Sequence, residues 1–101
     1  MEFLEIVKLE IRKRELKVSN GKLIKIIGEF DHGELKTIKI CGDFFIHPEE
    51  SIILLEKEIL AGDSFRESVE MWNKKYSPKI IGFELKDLIN TLESLIDNTE
   101  E

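Results

Sequence analysis

Cysteine, histidine and arginine are all scarce in this chain, and each scarcity removes a class of function. A single cysteine, Cys41, excludes a disulfide framework and any multi-cysteine zinc or cluster site within one chain. Two histidines, His32 and His47, leave no Ser-His-Asp set to assemble. Three arginines and a net charge of −6 give a poor footprint for nucleic acid, whose phosphates call for a basic surface. The six glycines stand singly at turns and element ends, so no phosphate-cradling loop is present. Ile52–Leu55 and Ile80–Phe83 are the longest apolar runs, far short of the ~20 residues that span a bilayer. Acid at Met1-Glu2-Phe3-Leu4-Glu5 stands where a secretory signal would carry base. At 101 residues the chain is too short for a nucleotide-binding domain plus a substrate domain. The expectation is one cytoplasmic domain that contacts neither membrane nor nucleic acid.

What is abundant is charge, at 36% of residues, mostly Lys and Glu interspersed with isoleucine. This composition suits heat-adapted ion-pair networks, and equally an AT-rich genome.

Turn chemistry and alternation define the first half. Asn20-Gly21, between Leu16-Lys17-Val18 and Leu23-Ile24-Lys25-Ile26, accepts the positive φ values of a type I′ hairpin turn. Asp31-His32-Gly33 then separates that strand from Leu35-Lys36-Thr37-Ile38-Lys39-Ile40. The three runs predict an antiparallel meander. Ile24, Ile26 and Phe30 share one face, and Ile38, Ile40, Phe44 and Ile46 share another parity, so one side of the sheet requires cover. Gly28 on that side marks a bulge or a close backbone approach. Val7, Leu9 and Ile11 alternate with parity opposite to Leu16 and Val18. Either a bulge lies near Arg12–Arg14 or residues 2–11 form a separate element; a strand is favoured there, and a helix through Leu4, Val7 and Ile11 is the alternative.

The second half supplies the cover. Pro48 with Glu49 and Glu50 opens a helix whose stripe is Ile52, Leu55 and Ile59, ended by Gly62. Ser64 with Glu67 predicts a capping box, and Phe65, Val69, Trp72 and Tyr76 lie on one face of the helix that follows, stopped by Pro78. An extended Ile80-Ile81-Gly82-Phe83 leads to a third helix with Leu85, Leu88, Ile89, Leu92 and Ile96 inward. The fold class is α+β, a three-stranded antiparallel meander covered on one face by about three helices. Residues 1–12 read as an N-terminal extension, 13–97 as the domain and 98–101 as an acidic tail.

Few residues carry chemistry. His32 occupies a turn, and His47 precedes a proline at a helix start. A metal site of His47 with Glu49 or Glu50 lacks a further ligand. Cys41, in Ile40-Cys41-Gly42-Asp43, has a parity opposite the apolar stripe and could act as a single nucleophile or sulfur carrier. Phe44-Phe45 is the least expected feature, because a core-facing Phe44 obliges Phe45 to face outward. Trp72 and Tyr76 belong either to the core or to a contact surface.

At Gly42-Asp43-Phe44-Phe45-Ile46-His47-Pro48-Glu49-Glu50 the chain resembles the accessory domain of lipoate–protein ligases, a C-terminal domain in many bacterial enzymes and a separate small subunit in some archaeal ones. The strand carrying Lys17, the turn Asn20-Gly21-Lys22-Leu23-Ile24, Leu55-Glu56 and, more loosely, Ile81-Gly82-Phe83 extend the resemblance over roughly residues 13 to 97. It implies a fold similar to the sulfur-acceptor and iron–sulfur scaffold proteins. It also implies a non-catalytic subunit, required when a catalytic large subunit activates lipoate to lipoyl-adenylate and then acylates a lysine. That lysine lies on a lipoyl carrier, a glycine-cleavage H protein or a 2-oxoacid dehydrogenase lipoyl domain. ATP, Mg and lipoate then belong to the heterodimeric complex, and this chain alone holds neither cofactor nor metal. Gly21 and Lys22 are expected to form one partner contact, and Gly42, Asp43, Phe44 and Phe45 a second; the alternative for part of that strip is architecture, with Asp43 bonding nearby backbone amides. The competing reading is a sulfur acceptor of iron–sulfur assembly with Cys41 as nucleophile. A third is a domain with an unrelated binding role.

Overall fold

The computed structural model describes residues 9–18 and 22–96. The Asn20-Gly21 turn, the extension before Leu9 and the acidic tail lie outside these residues. Strands β1 (Leu9–Lys17), β2 (Leu23–Asp31) and β3 (Glu34–Gly42) form an antiparallel sheet in the order β1-β2-β3. A second, two-stranded ribbon joins β4 (Phe45–His47) to β5 (Lys79–Ile81). Helices α1 (Ser51–Ala61), α2 (Phe65–Tyr76) and α3 (Leu85–Glu93) complete the chain. The architecture is the expected α+β meander with helices on one side. Helix α1 packs on β3, α3 packs on β1 and β2, and α2 packs on the other two helices.

Alternation sets the buried face as expected: Ile24, Ile26, Phe30, Ile38 and Ile40 are all buried. Leu55 and Ile59 of α1, Val69 and Trp72 of α2, and Leu88, Ile89 and Leu92 of α3 meet them. Trp72 is fully buried and donates its indole N–H to the Ser51 carbonyl at 2.8 Å, so it belongs to the core. Tyr76 is 37% exposed. The β2–β3 turn is His32-Gly33, with φ of 54° and 83°. A positive φ at both central residues matches the right-handed twist of the strands. Gly28 is a close approach: an added Cβ would lie 3.1 Å from Leu35 Cδ1 and 3.2 Å from Phe30 Cε1. The register shift itself falls next to it, between Glu29 and Phe30.

Three expectations need correction. First, β1 has no bulge near Arg12–Arg14; it pairs with β2 without interruption from Leu9↔Asp31 to Lys17↔Leu23, and the 12/13 boundary falls inside it. The parity conflict resolves because Arg12 and Arg14, rather than Leu9 and Ile11, face the helices. Arg12 Nη1 donates to the Leu95 carbonyl at 2.7 Å, and Arg14 Nε to the Ser94 carbonyl at 3.1 Å. These carbonyls follow the C-terminus of α3, where cations are favoured by the helix dipole and by orphan acceptors. The Arg12 guanidinium also stacks 4.2 Å from the Phe30 ring centroid. Arg12→Met should therefore cost about 1–3 kcal/mol. A lower urea midpoint at unchanged m would register it.

Second, Pro48 stands before α1 rather than at its first turn. The His47–Pro48 peptide is cis, and Pro48–Glu50 form a turn whose carbonyls receive the Ser51, Ile52 and Ile53 N–H groups. Glu49 and Glu50 thus precede the helix. Third, Ile96 is 58% exposed and Leu95 is buried in its place. Beyond Glu93 the chain tightens, with Leu95 N–H bonded to the Leu92 carbonyl and Ile96 N–H to the Glu93 carbonyl. Each residue of such a turn advances further around the axis than in an α-helix, which rotates Leu95 inward. At α2, Ser64 Oγ accepts the Glu67 N–H at 3.2 Å, giving the N-cap half of the expected box. The reciprocal capping box occurs instead at α3, between Glu84 and Asp87.

Candidate partner-docking surface

The surface is built from the end of β3. Ile24 pairs with Gly42, and the Asp43 N–H donates to the Leu23 carbonyl at 2.9 Å. Gly42 adopts φ +148°, and the Leu23 carbonyl oxygen occupies the space a Cβ would need. The chain bends there and re-enters extended structure as β4, which preserves alternation. Phe44 is half-buried and meets Phe83 edge to face, with centroids 4.9 Å apart. Gly82, at φ +123°, lets its backbone approach Phe44; a Cβ there would lie 2.9 Å from Phe44 Cβ. Gly42 and Gly82 therefore bracket Phe44 from two separate segments.

Phe45 faces outward, 71% exposed. Among the described residues no neighbouring element covers it. Its cross-strand partner in the ribbon is Ile81, itself 55% exposed, and directly paired residues project from the same side of a sheet. The result is an aromatic–aliphatic pair on a short ribbon anchored to the core through Ile46 and Phe83. Sequence reasoning missed Ile81. Its alternation in Ile80-Ile81-Gly82-Phe83 was a signal, but the pairing with residues 45–47 is not visible along the chain. A groove of about 350 Å³ beside Phe45 is lined by Cys41, Phe44, His47, Glu49 and Ile52, among others.

The fold gathers most of the remaining expected contact residues. Lys22 is exposed, its carbonyl accepts the Val18 N–H at 2.8 Å, and its chain neighbour Leu23 holds Asp43. Lys22 and the exposed Asp43 thus share one end of the sheet. Gly21 lies outside the described residues. Gly42 and Phe44 act within the architecture. Glu56, flagged beside Leu55, reaches back to accept the Ile40 N–H of edge strand β3 at 3.0 Å.

Cys41 is half-buried on the outer face of the sheet, directly opposite Lys25, a cationic neighbour that only the register reveals. His47 is exposed and pairs with Lys79. His32, also exposed, bonds Asp31 at 2.6 Å through Nδ1. Among the described residues no three His, Cys, Asp or Glu side chains gather as a metal site, and no helix is long and apolar enough to cross a membrane.

This geometry suits binding: it is apolar at its centre and charged at its margin. No protein-family model matches the chain. A solved archaeal lipoylation system from Thermoplasma acidophilum, comprising a bi-partite lipoate protein ligase and its E2 lipoyl domain, contains a chain that matches with a TM-score of 0.65. The match covers 86% of this chain and 97% of that one, at 27% identity. Lipoate-protein ligase A subunit 2 of the same organism is 36% identical over 72 residues, which are 69% of this chain and 76% of that protein. With its α+β fold and its Gly-Asp-Phe-Phe corner, the chain belongs to the lipoate–protein ligase accessory-subunit family.

Proposed function

We propose that this protein is the non-catalytic subunit of a two-part lipoate–protein ligase. A larger subunit converts lipoate and ATP to lipoyl-adenylate and pyrophosphate, and then transfers the lipoyl group to a carrier lysine. The present chain is required for the first step. The observation that carries this reading is the outward Phe45–Ile81 pair on an anchored ribbon, a surface suited to a protein partner. The kinship with a ligase subunit supports the choice of that partner. ATP, Mg²⁺ and lipoate are substrates and cofactor of the assembled enzyme. This chain contributes by docking, which orders segments around the reacting groups and excludes water.

Lipoate-dependent ATP–pyrophosphate exchange tests the proposal. A cognate large subunit alone should be nearly inactive, and exchange should appear when this chain is added. The Cys41→Ser protein should restore it equally well. Absence of exchange in the mixture, with both chains folded, would remove the proposal. Exchange dependent on the Cys41 thiol would favour the sulfur-acceptor reading.

A further inference from the structure

The sheet face turned away from the helices is polarised. Toward the Gly42 end it carries Lys13 and Lys17 of β1, Lys25 of β2 and Lys39 of β3. The register places Lys13 and Lys39 on either side of Ile27, and Lys25 between Glu15 and Cys41. Toward the hairpin end lie Glu29, Asp31 and Glu34. Among the described residues, the only carboxylate paired to the lysine group is Glu15, 4.0 Å from Lys25. Lys13, Lys17 and Lys39 are exposed and make no ion pair with the described residues, in a chain whose net charge is −6.

Strands are ~4.8 Å apart, so Lys13 and Lys39 stand roughly 10 Å from each other across Ile27. Neighbouring lysines are therefore within about one Debye length, and their fields add. Each ammonium raises the cost of the next, and among the described residues Glu15, beside Lys25, is the one carboxylate that offsets it. Leu23 and Ile27 supply half-buried apolar surface between the charges.

From this placement we propose that the lysine-bearing half of the open sheet face docks the carboxylate-rich surface of the acyl-acceptor domain. The inference rests on the ligase reading and adds to it a second surface for a second partner. A lysine strip without arginine on an acidic domain, with aliphatic atoms at its centre, suits a protein rather than a nucleic-acid backbone. The two faces also differ in kind. Phe45 and Ile81 form an apolar contact suited to a lasting subunit interface. The lysine face gives fast, salt-sensitive and reversible association, which a protein substrate requires because it must leave after each turnover.

The test uses the assembled two-part ligase with its cognate lipoyl domain as acceptor. In the Lys13→Glu/Lys17→Glu/Lys39→Glu variant, KM for the acceptor should rise roughly tenfold at low ionic strength, and the difference should shrink at about 0.5 M salt. Values of kcat, pyrophosphate exchange and subunit assembly should stay unchanged. A Lys57→Glu/Lys74→Glu/Lys86→Glu control, equal in net charge but altered on the helices, should leave KM near wild type. An unmoved KM in the face variant overturns the inference, as does an equal rise in both variants. Loss of assembly confined to the face variant would assign the surface to the large subunit and also overturn it. Missing exchange with the wild-type chain would instead refute the ligase reading itself.

Discussion

Replacing Phe45 with alanine should weaken association with the large subunit by about 30-fold or more, equivalent to ~2 kcal/mol, and leave the thermal melt unchanged. The separation follows from burial. Phe45 is 71% exposed and contributes little to the core, while its ring is the most prominent apolar group on the ribbon. Ile81→Ala should weaken binding by a smaller factor. The double variant should lose less than the sum of the two, because directly paired side chains share one contact. Titration calorimetry of the two subunits, with melting curves of each variant, measures both quantities. Unchanged affinity in Phe45→Ala would show that the ribbon is not the subunit contact.

Gly42→Ala should behave in the opposite way and lower folding stability by about 2–4 kcal/mol. The backbone there sits at φ +148°, and the Leu23 carbonyl fills the position of the new methyl group. Backbone that also holds the Asp43 N–H cannot yield as a flexible side chain would. The urea midpoint should fall, and any loss of affinity should follow the unfolded fraction. Intact stability with lost binding would make Gly42 a contact rather than a bend. Together, Phe45→Ala and Gly42→Ala divide the Gly-Asp-Phe-Phe run into one residue that meets a partner and one that shapes the chain.

That division shows how far local reasoning reaches. Alternation through Ile24–Phe30 and Ile38–Ile40 identifies the buried face because neighbouring side chains must project to opposite sides of a strand. The same rule places Phe45 outward once Phe44 is inward, across a bend that the period-two argument did not need to know about. Helix stripes at Leu55/Ile59 and Leu88/Ile89/Leu92 were legible for the same reason: the repeat belongs to the element itself.

The misses share a cause. Arg12 and Arg14 looked like a break in the strand because only an apolar residue was expected to face inward. The carbonyls that make guanidinium groups welcome there belong to Ser94 and Leu95, some 80 residues later. Ile96 was placed inward by continuing a helix that tightens after Glu93. Ile81 joined the candidate site only through the register of β4 with β5.

By itself, then, the sequence determined the class of fold, the faces of its sheet and helices, and the outward aromatic, since each follows from periodicity and turn chemistry within a few residues. Tertiary structure alone decided that Ile81 stands beside Phe45, that Gly42 closes on Leu23, that two arginines cap the end of α3, and that lysines from three strands converge on one face. Those facts depend on register and packing between distant segments, and no local preference encodes them.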